Sequence, residues 1–140
     1  MTAKQISVFI ENRKGRLGAV LDVLKENDVN ILSLSLADTA EYGILRIISN
    51  KAEEGKKALS SAGFSSMLTD VFIVQAPHTP GALQNILRVI SAEELNVEYM
   101  YGLSVASEEG SIVVKTSDTE RAEEIFKKYG IVTLTEENLL

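Results

Sequence analysis

GRLGAVLDVLKENDVNI, residues 15–31, returns 66 positions further on as GALQNILRVISAEELNV, residues 81–97. Gly15, Leu17, Val20, Leu21, Leu24, Asn30 and Ile31 of the first stretch become Gly81, Leu83, Ile86, Leu87, Ile90, Asn96 and Val97 of the second. Self-similarity at one fixed spacing is the mark of a repeated structural unit. In each copy a glycine opens the stretch, and apolar residues follow at i, i+3, i+4 and i+7, the stripe of a helix lying on a core. An asparagine then leads into a strand. The 140-residue chain therefore reads as two copies of a module of about 70 residues, near the lower limit for an independent core.

Working outward, Ile6, Val8 and Ile10 alternate with Gln5, Ser7 and Phe9, a strand that runs into the turn Glu11 to Gly15. The helix spans about Arg16 to Asn27, a second strand Asn30 to Asp38 and a third Tyr42 to Ser49, joined by a short polar hairpin loop. A second helix, about Lys51 to Ala62, has Asn50 with Glu53 three residues on as its start signal and Gly63 as its stop. Phe64 to Leu68 reads as the fourth strand. The second copy keeps the order with one extra residue after its hairpin, so Ser117, Glu120 and Gly130 stand for Asn50, Glu53 and Gly63. The stripe Gly55, Ala58, Leu59, Ala62 becomes Ala122, Ile125, Phe126, Tyr129.

Strand, helix, strand, strand, helix, strand with right-handed crossovers gives an α+β chain of two ferredoxin-like βαββαβ modules, residues 1–69 and 70–140. Each is a four-stranded antiparallel sheet with two helices on one face. No linker separates them, since the strand near Met67 leads through Thr69 and Asp70 into Val71 to Gln75. On the second strand Leu32, Leu34 and Leu36 alternate with Ser33 and Ser35, yet Ile31 and Ala37 on the serine side are apolar too. The alternation therefore does not say which side meets the helices. Tyr99, Tyr101 and Leu103 against Glu98, Met100 and Gly102 leave the same choice in the second copy.

Composition narrows the function classes. With 45% hydrophobic and 24% charged residues the chain is of ordinary globular type, and no apolar run approaches a membrane span. The N-terminal stretch has no apolar leader, so a cytoplasmic location is expected. There is no cysteine and one histidine, His78, which removes thiolate chemistry and any multi-histidine metal site within one chain. A formal net charge of −6 opposes binding to nucleic acid or anionic membrane.

The chain resembles the ACT family of small regulatory domains, as a tandem pair covering nearly all of it. The resemblance rests on Asn-x-x-Gly-x-Leu followed by Val-Asn-Ile. The first copy reads Asn12, Arg13, Lys14, Gly15, Arg16, Leu17 and then Val29, Asn30, Ile31. The second reads Ala76 to His78, Thr79, Pro80, Gly81, Ala82, Leu83 and then Leu95, Asn96, Val97, departing from the pattern before Gly81. The resemblance implies an amino acid or related small ligand held at domain interfaces, near the turn and the start of the second strand. The matching positions are Asn12, Gly15, Arg16, Leu17, Asn30 and Ile31 in the first copy, and His78, Pro80, Gly81, Ala82, Leu83, Asn96 and Val97 in the second.

The chemistry of the turn agrees with this. A helix N-terminus offers unpaired N–H groups and the positive end of a dipole to a carboxylate, and Gly15 and Gly81 would let a ligand come close to the backbone. Asn12 and Asn30 could serve an ammonium or a carboxylate. The plain alternative is that the glycines satisfy tight turns, the asparagines bond loop backbone, His78 is a solvated loop residue and Arg13, Lys14 and Arg16 are a solvated basic turn. Because only the first turn is basic, two occupied sites are expected to be unequal.

The expected function is a non-catalytic sensor of a free amino acid or similar small ligand, with a homodimer and a regulated enzyme in trans as partners and no cofactor. The alternative is an oligomerisation module whose turns are only structural. An enzyme is disfavoured because the acids are scattered around a single histidine with no nucleophile and base in a recognisable arrangement. RNA binding ranks lower still, since Tyr99 and Tyr101 sit in an acidic chain.

Overall fold

The computed structural model describes residues 1–38, 41–103 and 109–139. The chain forms two compact units: a first, Lys4–Thr69, and a second, Asp70–Leu140 together with Met1–Ala3.

The first unit contains strand β1 (Ala3–Glu11), helix α1 (Arg16–Glu26), strands β2 (Ile31–Asp38) and β3 (Tyr42–Ser49), helix α2 (Ala52–Ser61) and the opening residues of β4 (Ser65–Pro77). Its strands lie in the order β2-β3-β1-β4. In the second unit the rest of β4 is followed by α3 (Ala82–Ala92), β5 (Val97–Leu103), β6 (Glu109–Thr116), α4 (Thr119–Lys128), a short β7 (Thr133–Leu134) and a 3₁₀ turn, Glu136–Leu139. Its order is β7-β4-β6-β5. Each unit is the expected ferredoxin-like module. The last strand of the first module and the first strand of the second are one strand, β4, rather than two joined by a turn.

Cross-strand partners share a sheet face, so the register decides what the sequence left open. Ile6 faces Ile47, Val8 faces Leu45 and Ile10 faces Gly43 on β1–β3, while Leu34 faces Ile47 and Leu36 faces Leu45 on β2–β3. The leucines of β2 thus share the face of Ile6, Val8, Leu45 and Ile47, which pack with Val20 and Leu24 of α1 and Leu59 of α2. Ile31 reaches that same core because the register shifts between Ile31 and Ser33, a bulge that turns the alternation over. Leu34 and Leu36 remain 44% and 46% exposed; they sit on the edge strand, where the helices cover least. The second unit repeats the bulge between Val97 and Tyr99. There Met100 joins Phe72, Val74, Ile90, Val114, Ile125 and Phe126 in the core, and Tyr99 and Tyr101 take the opposite face. Phe72 and Phe126 meet edge to face, ring centroids 4.9 Å apart.

The helix ends hold two corrections. Asn50 does not cap α2: the N-cap residue is Lys51, with no side-chain capping bond. The Asn50 Oδ1 instead accepts from the Asn30 N–H at 2.9 Å, while the Asn50 N–H donates to the Asn30 carbonyl. In the second unit Ser117 keeps only the backbone half of this exchange, its N–H donating to the Asn96 carbonyl. Asp118 caps α4 by accepting from the Arg121 N–H at 3.1 Å. Also, Ala62 and Tyr129 leave the buried stripe. They are C-cap residues past the last helical turn, and the Tyr129 hydroxyl donates to Glu93 at 2.8 Å.

Candidate functional site

The turn after β4, Pro77 to Gly81, is shaped by backbone bonds: the Thr79 N–H donates to the Pro77 carbonyl and the Ala82 N–H to the Thr79 carbonyl. Gly81 then takes φ +85°, and Gly15 in the first unit takes φ +89°. This left-handed conformation is one that a residue with a Cβ adopts only at a cost. A Cβ at either glycine would meet nothing within 4 Å, so the requirement is conformational and not one of close packing. Neither α1 nor α3 has a side-chain cap or an acidic residue in its first turn. The first N–H of each helix is taken by its own turn, Ala82 by Thr79 and Arg16 by Arg13, while the N–H groups that follow have no capping side chain among the described residues.

Beside the second of these turns lies a concavity of about 640 Å³. Ala76 at the end of β4, Gly102 on β5, and Gly110 and Ile112 on β6 form its floor; Pro77, His78, Thr79, Pro80 and Leu83 form its wall, with Leu103 and Ser111 bordering it. No Asp, Glu, Lys or Arg is among the described residues that line it. His78 seats its ring on Gly110: a Cβ there would lie 2.9 Å from His78 Cε1 and 3.4 Å from each ring nitrogen. Only a residue without a side chain leaves the ring that place.

At the equivalent end of the first unit the described side chains are larger. Over Gly43, a Cβ would lie 3.3 Å from Leu36 Cδ1 and 3.4 Å from Ile10 Cγ1. The two units match here position for position, since Gly43 faces Ile10 and Gly110 faces Ala76, while Leu36 faces Leu45 and Gly102 faces Ile112. Ile10 and Leu36 thus occupy what Ala76 and Gly102 leave open. The basic turn is partly engaged within its own unit, although the Arg16 Nε is buried with no hydrogen-bond partner among the described residues. Arg13 pairs with Glu11 at 3.1 Å, the Arg16 guanidinium lies over the Phe64 ring, 4.6 Å from its centroid, and the Asn12 N–H donates to the Glu41 carbonyl.

Of the residues expected to bind ligand, the structure brings His78, Pro80 and Leu83 together around the second concavity, with Gly81 and Ala82 at the adjoining helix start. Asn12, Gly15, Arg16 and Leu17 gather at the filled turn. Asn30, Ile31, Asn96 and Val97 do not join either group within their own units. Glu11 faces Tyr42 whereas Ile31 faces Ser49, at opposite ends of β3, and Pro77 and Val97 are likewise at opposite ends of β6. Seven residues of strand separate them, about 23 Å. Ile31 and Val97 pack against the cores, and Asn30 borders a different hollow of about 360 Å³ with Leu21, Lys25 and Asp28.

The floor residues Ala76, Gly102, Gly110 and Ile112 escaped the sequence reading. The signal was present in the repeat itself, as positions where one copy is large and the other small. Among the described residues, no group of three or more His, Asp or Glu is placed to hold a metal ion, and no helix is long and apolar enough to cross a membrane.

Comparison with known proteins places this geometry in a family. The family described as the ACT domain pair matches residues 1–140, and the chain belongs to it. A crystal structure of protein BT0572 from Bacteroides thetaiotaomicron is similar, with 35% identity over 99% of this chain and 96% of that one, at a TM-score of 0.92. The regulatory subunit of aspartate kinase from Thermus flavus shares the fold at 18% identity and TM-score 0.62. Its counterpart from Thermus thermophilus, in a ligand-free form, does so at 17% and 0.65; each comparison spans 89% of this chain and 88% of the other. Among curated proteins, none matches the chain.

Proposed function

We propose that this chain is a non-catalytic regulatory module, two ACT modules over residues 1–69 and 70–140, that binds a free amino acid or a similar small molecule at the β4–α3 turn. The observation that carries this reading is the concavity of about 640 Å³ beside the uncapped start of α3. In this reading the first-turn N–H groups of α3 that follow Ala82 receive the ligand carboxylate, helped by the helix dipole. His78, Thr79 and the turn carbonyls face its ammonium, and Ala76, Leu83 and Ile112 face its side chain. Membership of the ACT domain pair family supports the regulatory role. Binding would favour one conformation of the module and pass the signal to a partner, an enzyme in trans or a second copy of the chain, by population shift.

The test is a melting-temperature survey with each free amino acid. A ligand present at 100 times its Kd stabilises by about 2.7 kcal/mol, so a few members should raise the transition clearly. A flat response across the whole set overturns the proposal.

A further inference from the structure

We infer that the duplicated turn site works in one copy only, and that the open copy takes an amino acid with an uncharged, aliphatic side chain. The inference rests on the functional reading above and goes beyond it by naming the residues that decide occupancy and selectivity. The repeat would supply two sites of one design, and the register shows where they part. Over Gly43 stand two aliphatic side chains, Leu36 and the buried Ile10, within 3.3 and 3.4 Å of where a Cβ would lie, whereas over Gly110 stands the exposed ring of His78, 2.9 Å from that point. At the same positions the second unit carries Gly102 and Ala76, and the volume freed is part of the floor of the concavity. Replacing a leucine and an isoleucine by a glycine and an alanine removes seven side-chain carbons at one end of one sheet. That opens room for a ligand side chain against Ile112 and Leu83.

Selectivity follows from the lining. Its polar side chains among the described residues are those of His78, Thr79 and Ser111, with no formal carboxylate, ammonium or guanidinium among the described lining residues. The described lining offers a charged side chain no counter-ion to offset its lost hydration. Valine, leucine or isoleucine buries only carbon there.

Isothermal titration of the full chain with L-valine, L-leucine and L-isoleucine, and with L-lysine and L-glutamate as contrasts, tests this. The expected result is one aliphatic ligand per chain, with lysine and glutamate at least about 100-fold weaker. Gly102→Leu should weaken binding by about 100-fold, since the new side chain occupies the ligand's volume. A Cβ at Gly102 meets nothing within 4 Å, so the fold should accept it. Ala76→Val fills the same floor from the neighbouring strand and should weaken binding in the same direction, which guards against a misfolded first variant. Leu36→Ala, at the matching place in the first unit, should leave the affinity of the second-unit site unchanged. Two ligands per chain, binding that survives both filling variants within threefold, loss of binding in Leu36→Ala, or a preference for lysine or glutamate overturns this inference while leaving the regulatory reading intact. No binding by any amino acid overturns both.

Discussion

Replacing Gly110 by alanine isolates the contact on which the site's geometry turns. Gly110 is outside the left-handed region of backbone conformation, so alanine brings no backbone strain. Its new Cβ would lie 2.9 Å from His78 Cε1, against an optimum of about 3.5–4.0 Å between carbons. The ring must therefore retreat by roughly 1 Å. His78 is exposed and caps no core, so the movement is cheap. Alanine also recovers about 0.5–1 kcal/mol of strand stability relative to glycine, and the net change should fall within about 0.5 kcal/mol of zero. Gly43→Ala makes the matching change in the first unit. There the neighbours are Leu36 and the buried Ile10, and overpacking at about 1–3 kcal/mol should outweigh the strand gain. The assay uses the fact that His78 is the only histidine: its single Cε1–H proton resonance reports the ring's surroundings, while urea midpoints report stability. Gly110→Ala should shift the resonance, leave the midpoint almost unmoved and weaken any amino acid bound in the concavity. An unmoved resonance, or a stability loss above about 2 kcal/mol, would refute the placement of His78 on Gly110.

Gly15→Ala and Gly81→Ala should each cost about 1–2 kcal/mol by urea unfolding, from the left-handed φ alone, although nothing crowds either site; an unchanged midpoint would count against the conformational account. Asn50→Ala should cost about 0.5–1.5 kcal/mol by removing the acceptor of the Asn30 N–H. Asp118→Ala should cost about 0.5–2 kcal/mol as a lost helix cap, and a double variant should be additive because the sites share no partner. Hydrogen bonds from Tyr129 and then Lys128 hold the Glu93 carboxyl below its ordinary range. A depressed carboxylate contributes stability at neutral pH that is lost as pH falls through the lowered folded value. Glu93→Gln should accordingly be less stable than the parent at neutral pH and match it once the pH is taken below the carboxylate range. A gap in urea midpoint that persists unchanged in acid would refute this.

The repeat made the architecture readable. Apolar spacing from Leu17 to Leu24 and from Leu83 to Ile90, with a glycine before each and a strand after, is local information, and the helices and strands follow it within a residue or two. Details that depend on partners distant in sequence were not readable. Asn50 looked like a helix cap because the residues beside it suit one; its side chain turns to Asn30, twenty residues back, which folding brings alongside. The β2 leucines could not be assigned a face because the bulge after Ile31 turns the alternation over.

The site divides along the same line. The turn chemistry, Gly81 with His78, Thr79 and Pro80 ahead of a helix, is written consecutively and was found. Within the second unit Asn96 lies about 23 Å from that turn, because β5 starts at the end of the sheet where α3 finishes, a separation that spacing in the chain does not reveal.

The sequence by itself determined that there are two modules, what elements each contains and where the uncapped helix starts lie, since these follow from periodicity and from residues a few positions apart. Tertiary structure alone decided which copy is open. Whether the space at a turn is empty depends on side chains from three strands meeting over one glycine, Ile10 and Leu36 over Gly43 in the first unit against Ala76 and Gly102 beside Gly110 in the second. Residues so far apart in the chain acquire a common volume only when the register brings them to one end of one sheet.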